Sequence, residues 1–277
     1  MQYECQKFPA GLPYNLFVPA RRIHPNIVVL VHGVRTEPAK MLHAVQPIAA
    51  RYGATVMVPE FSRPTFNGYQ RLAGKGGPFC ASKALLAAVA DAQEKLGIGS
   101  GRIDLVGFSG GGQFAHRFAM FHPAHVCSAV VASAGWYTYL DSERPYPYGI
   151  ALGQCCNRES AIVAEFLKLP VLVAVGERDL KRDHNFRTGS DIDAHQGGNR
   201  VERARKWVEH TARRAAMMGI KPRVEFATLP KTGHSFDQAM NRGRLGELMF
   251  RFLDDAQKET PRGVSVFTPL EATLSDA

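Results

Sequence analysis

The stretch Asp104–Phe114, DLVGFSGGGQF, decides how the rest of the chain is read. An apolar run ends in Gly107-Phe108-Ser109-Gly110-Gly111, so one serine stands among glycines where a strand gives way to a helix. Three readings compete: a phosphate-binding loop, a nucleophile, and a plain tight turn. A phosphate loop needs a lysine after its glycines, and here Gln113 follows Gly112. A nucleophile needs this setting for a physical reason. The serine must stand on a strained strand-to-helix turn, and flanking glycines let neighbouring backbone approach without a Cβ in the way. The helix that follows turns free N–H groups and its positive end toward developing negative charge.

Further apolar runs lie on either side of this stretch. NIVVLVHG (26–33), ATVMVPEF (54–61), RIDLVGFS (102–109), VCSAVVASAG (126–135), PVLVAVGERD (170–179) and RVEFATLP (223–230) are rich in valine and isoleucine, and several are apolar throughout. Strands covered on both faces of a parallel sheet read this way. Helical patterns fall between them at 40–52, 78–96, 110–121, 200–218 and 246–256. Alternation of strand and helix predicts right-handed crossovers and an α/β architecture. Residues 2–17 add an antiparallel hairpin at one sheet edge, with PAGLP (9–13) as the turn. The polar segment 180–199 reads as a loop, and 257–277 as a loosely packed tail. No repeat or low-complexity linker divides the chain, so 1–277 reads as a single domain.

Bulk properties narrow the function. The chain has 277 residues, 45% of them hydrophobic and 21% charged, which suits a globular domain with a substantial core. No run of about 18 apolar residues spans a membrane, and the start, MQYECQKFPAGLPYNLF, lacks the basic and apolar segments of a signal peptide. Five cysteines without paired spacing point to a reducing cytoplasm, with Cys155-Cys156 read as ordinary thiols rather than a redox device. The net charge of +9 is densest in NRVERARKWVEHTARRAAMMGIKPR (199–223). There Val201, Ala204, Trp207, Val208, Ala212, Ala215 and Met218 recur at helical spacing. One face is therefore buried, and the arginines line a solvated one. No nucleic-acid-binding signature accompanies it. The run Asp191-Ile-Asp193-Ala-His195 reads as a polar loop rather than a metal site. His122 and His125 read as surface residues.

In open α/β sheets, functional groups gather at the carboxyl ends of strands. Ser109, Asp179 and His234 fall there, in that order. His234, in LPKTGHSFDQ, lies on a glycine-containing loop between strand and helix, in reach of a serine that needs a base. Asp179 directly follows a strand, where a carboxylate holds the imidazole in its tautomer; Glu177, Asp183, Asp191 and Asp193 are its rivals. The loop after the first long strand, His32-Gly33-Val34-Arg35, offers the Val34 N–H to an oxyanion, with the Gly110 N–H as second donor. Arg35 is the alternative first donor and otherwise a pocket residue. The insertion 136–169 carries Trp136, Tyr137, Tyr139, Tyr146 and Tyr148. It reads as a small cap in which Trp136 and Tyr137 line a substrate pocket; the competing reading has its rings anchor the segment to the core.

His32-Gly33, Gly107–Gly111 (GFSGG), Gly176–Asp179 (GERD) and Gly233–Phe236 (GHSF) follow one another as in the α/β-hydrolase superfamily, which the chain resembles over roughly residues 23–256. Within it, the chain is similar to bacterial carboxylesterases and esterase-like polyhydroxybutyrate depolymerases. The resemblance implies a mostly parallel eight-stranded sheet with helices on both faces. It implies Ser109 as nucleophile, His234 as base and Asp179 as acid, with no metal or cofactor. The expected activity is hydrolysis of small to medium soluble carboxylic esters through an acyl-enzyme. The expected partner is thus a small-molecule ester, neither nucleic acid nor membrane; the oligomeric state stays open, a homodimer included. Alternatives are the same triad acting on an amide, thioester or C–C bond, and a non-catalytic binding protein. The last needs a damaged triad, and no member is missing.

Overall fold

The computed structural model describes residues 2–3, 11–75, 77, 80–99, 101–151 and 159–259. Strands β1 (Gln2–Tyr3), β2 (Tyr14–Phe17), β3 (Val28–Val31), β4 (Val56–Pro59), β5 (Ile103–Phe108), β6 (Val126–Ala132), β7 (Val171–Gly176) and β8 (Val224–Leu229) form one sheet in the order β1-β2-β4-β3-β5-β6-β7-β8. From β4 to β8 all neighbours are parallel, and β2 and β1 add antiparallel at the β4 edge. Among the described residues seven strands have four or more residues; the expected eight is reached only with the two-residue β1. The N-terminal hairpin pairs Gln2 with Phe17 and Tyr3 with Leu16, while Pro9 and Ala10 of its expected turn lie outside the described residues.

Helices are α1 (Pro38–Arg51), α2 (Arg63–Phe66), α3 (Cys80–Lys95), α4 (Gly110–Phe121), α5 (Glu159–Leu167), α6 (Ser190–Gln196), α7 (Arg200–Met217), α8 (Phe236–Asn241) and α9 (Leu245–Glu259). In β3, β4, β5 and β7 every residue is buried, because the sheet is covered twice. The pleat sends successive side chains to opposite faces. Val29, Val31 and Leu105 meet Leu85, Phe114, Phe118, Phe166 and Trp207 of α3, α4, α5 and α7 on one face. Val28, Leu30 and Val106 meet Val45, Ile48, Phe236, Phe250 and Leu253 of α1, α8 and α9 on the other.

Three expectations are corrected. The end of the insertion is α5, the crossover helix between β6 and β7, which sends Val163, Phe166 and Leu167 into the core rather than over the site. Residues 152–158, including Cys155 and Cys156, and the tail beyond Glu259 fall outside the described residues; Gln257–Glu259 still belong to α9. The polar segment 180–199 holds α6, where Asp193 pairs with Arg182 and, at 2.7 Å, with Arg203. Third, the arginines of α7 do not all face solvent: Arg200 and Arg203 are 1% and 0% exposed. Arg203 is satisfied there by the carbonyls of Gly197, Gly135 and Arg187 as well as by Asp193. No helix among the described residues is long and apolar enough to cross a membrane.

Candidate active site

Ser109 follows β5 directly and caps α4 with φ 57° and ψ −113°. A non-glycine residue held in that region stores on the order of 1–3 kcal/mol of strain. Backbone crowding enforces it. A Cβ on Gly107 would lie 2.1 Å from the Gly111 carbonyl oxygen, and one on Gly111 would lie 1.9 Å from that of Val31. The glycines therefore let α4 start flush against β3 and β5, and the hydroxyl is lifted above the sheet.

His234 comes from the β8–α8 loop. Ser235 caps α8 by accepting from the Gln238 N–H, and Gln238 Oε1 accepts from the Gly233 N–H at 3.1 Å. These two bonds fix the backbone on both sides of the histidine. Asp179 comes from the β7–α6 loop, which is laced to the His234 loop. Arg178 N–H donates to the Thr232 carbonyl at 2.9 Å, and Lys231 N–H to Glu177 Oε1 at 2.7 Å. Gly176 makes the approach possible, since a Cβ there would stand 2.4 Å from Thr232 O.

The three side chains meet. Ser109 Oγ lies 2.9 Å from His234 Nε2, and His234 Nδ1 lies 2.8 Å from Asp179 Oδ2. A carboxylate only accepts, so Nδ1 carries the proton and Nε2 accepts from the serine hydroxyl. Asp179 is wholly buried, while the His234 side chain keeps 23% exposure, which leaves the site reachable from solvent. Phe108 stacks beside His234 with ring centres 5.7 Å apart. Of the rival acids, Asp183 reaches Arg200 at 2.9 Å, Asp193 is held by arginines, and Glu177 accepts from Lys231 N–H.

The loop after β3 lies across the serine. A Cβ on Gly110 would stand 3.3 Å from the Val34 nitrogen, so the two expected oxyanion donors are neighbours. His32 braces this loop. Its Nε2 accepts from the Phe61 N–H at 3.1 Å, so Nδ1–H donates to the Gly33 carbonyl at 2.8 Å. Burial pushes the His32 imidazole below its ordinary value, which keeps this neutral tautomer. Tyr69 donates to the His32 carbonyl at 2.8 Å and stacks on Phe61. Sequence reasoning placed Gly176 in the GERD turn but not its close approach to Thr232, and it missed Tyr69 and Arg200, which carried no signal.

The expected pocket residues divide. Arg35 is exposed on the β3–α1 loop. Trp136 and Tyr137 are buried. Tyr137 is 0% exposed, stacked on Trp207 at 5.1 Å and packed against His116, so it lines no open pocket. Trp136 lies 4.2 Å from the buried Arg117 guanidinium, which also donates to Thr138 Oγ1 and the Gln70 carbonyl. Burial pushes Arg117 down to about 10. These rings fasten residues 136–151 onto α4 and α7. Among the described residues, no three His, Cys, Asp or Glu side chains gather as a metal site would require.

Against protein-family models and against curated proteins, the chain finds no match. Solved structures do resemble it. A poly(aspartic acid) hydrolase-1 from Sphingomonas sp. KT-1 is 21% identical with a TM-score of 0.74, covering 87% of this chain and 93% of its own. A poly(3-hydroxybutyrate) depolymerase from Bordetella parapertussis is 25% identical with a TM-score of 0.72, covering 88% and 84%. A ferulic acid esterase is 14% identical with a TM-score of 0.58, covering 92% and 96%. Strand order, the glycine-lined serine turn and these likenesses together show that the chain has the α/β-hydrolase fold.

Proposed function

We propose that the protein is a serine hydrolase that cleaves carboxylic esters through an acyl-enzyme intermediate. The observation that carries this reading is the hydrogen-bond chain from Asp179 through His234 to Ser109, at 2.8 and 2.9 Å, ending on a serine at φ 57°. Ser109 Oγ attacks the acyl carbon while His234 Nε2 takes its proton. Asp179 steadies the imidazolium through Nδ1–H. The N–H groups of Gly110 and Val34 receive the oxyanion, each worth about 3 kcal/mol in such chemistry. His234 returns the proton to the departing alkoxide, and water repeats the sequence to release the acid. The depolymerase and esterase likenesses support an ester substrate. The fastened 136–151 loop, held by Arg117 and Trp207, supports a small to medium soluble one. Free Cys80 and Cys127 support the proposed cytoplasmic setting.

The test is fluorophosphonate labelling together with turnover of a nitrophenyl ester series and matched amides and thioesters. Ser109→Ala should lose labelling and lower kcat on the order of 10⁶-fold. Retention of even a tenth of the activity would end this reading. Faster turnover of an amide or thioester would move it to that bond.

A further inference from the structure

One buried cation touches the hydrogen-bond chain. Arg200, the first residue of α7, donates from one terminal nitrogen to Asp179 Oδ1 at 3.3 Å and to the Lys181 carbonyl at 3.0 Å. Its other terminal nitrogen donates to Asp183 Oδ2 at 2.9 Å. Asp179 therefore gives one carboxylate oxygen to His234 and the other to Arg200. The Phe186 ring lies 5.1 Å from this guanidinium, and a cap between Asn199 and Glu202 fixes the start of the helix that presents it.

We propose that Arg200 is a positioning residue for the catalytic acid, shared with Asp183 so that the cluster becomes charge-balanced when His234 takes up a proton. The proposal rests on Ser109, His234 and Asp179 being a hydrolytic triad. Two carboxylates and one guanidinium leave one net negative charge at rest, and the imidazolium brings it to zero. A buried carboxylate beside a neutral imidazole is costly if left unpaired, and Arg200 meets that need. If Arg200 answered Asp179 alone, little attraction would remain for the imidazolium; Asp183 takes up its second arm. Tyr137, a buried neutral phenol from the loop after β6, also faces Asp179, and Arg203, already paired with Asp193, lies over the same Phe186 ring as Arg200.

The test is steady-state ester kinetics from about pH 5 to 9, with folding checked by thermal unfolding. Displacing a catalytic group by about 1 Å costs on the order of 10²-fold. Arg200→Gln should therefore lower kcat about 10- to 100-fold with KM held, and move the acid limb of kcat/KM to higher pH. Asp183→Asn should cost only a few-fold in kcat and move that limb to lower pH, because Arg200 then neutralises Asp179 more fully. Arg200→Lys keeps the charge without the planar fork; it should restore the limb and part of kcat. Opposite displacements at the two positions are the signature, since a role in packing alone moves neither. A folded Arg200→Gln enzyme with the wild-type profile overturns the proposal. So does Asp183→Asn with an unmoved limb, which also carries the test if Arg200→Gln does not fold. Wild-type protein that neither labels nor turns over any substrate would instead overturn the triad reading beneath it.

Discussion

Gly111 has no room for a methyl group. The Cβ of an alanine would meet the Val31 carbonyl, backbone that no rotamer change relieves. Gly111→Ala should therefore cost more than the ~1–3 kcal/mol of ordinary overpacking and abolish fluorophosphonate labelling, read by denaturant unfolding and by the probe. Gly135 is the contrast. There a Cβ meets only the amide end of Gln113, at 3.2 Å, so Gly135→Ala should stay within about 1 kcal/mol. At this scale the sequence was legible where chemistry imposes a local pattern. Ser109 announced itself by its glycines, His234 by a glycine-bearing loop, and Asp179 by its place at a strand end. Arg200 was not legible, because helical periodicity sees only which side of its own helix a residue occupies. Its partner Asp179 lies 21 residues away, on a loop whose path tertiary packing decides.

Among the elements, α7 holds two parts of the molecule together. Arg200 touches the acid loop, and Trp207, fully buried, donates from Nε1 to the Thr138 carbonyl at 2.8 Å while stacking on Tyr137. Trp207→Phe keeps most of the ring but orphans a buried carbonyl, at a cost of about 1–3 kcal/mol. Trp207→Ala adds a cavity and should reach about 3–5 kcal/mol. Thermal unfolding should rank wild type above Phe above Ala, and KM for esters should rise as the 136–151 loop loosens. An Ala variant as stable as wild type would mean that the loop is held elsewhere. The central strands and α4 were readable because double coverage leaves apolar runs and because Gly110 marks a helix start. The helix α6 was not, since SDIDAHQ has no apolar face; Arg182 and Arg203 on Asp193 help to anchor it. Nor was α5, whose crossover role depends on where the sheet resumes.

For the molecule as a whole, histidines set the response to acid. His32, His116, His122, His125, His195 and His210 are all held below the ordinary value, first of all by burial; His122, expected at the surface, is half-buried against Phe118 and lies near 4. The unfolded chain takes up protons near pH 6.5 that these folded sites refuse, so stability falls as pH drops below about 6.5. His24 opposes the trend. Burial works against its charge, but hydrogen bonds to Asp104 and Asp254 outweigh it and raise its value. Its contribution is present at low pH and is lost as pH rises through that raised value. Six sites against one predict a melting temperature that declines from about pH 7.5 to 5, and a steeper decline in His24→Gln. A flat melting temperature over that range would contradict these assignments. The sheet order has a kinetic counterpart. Ser109 follows β5 in the middle of the sheet, while His234 follows β8 at its edge, 125 residues later in the chain. Contacts of such long range form slowly. During refolding, returning ester turnover therefore serves as a clock for the docking of the edge strand, and it should lag behind the recovery of helical circular dichroism.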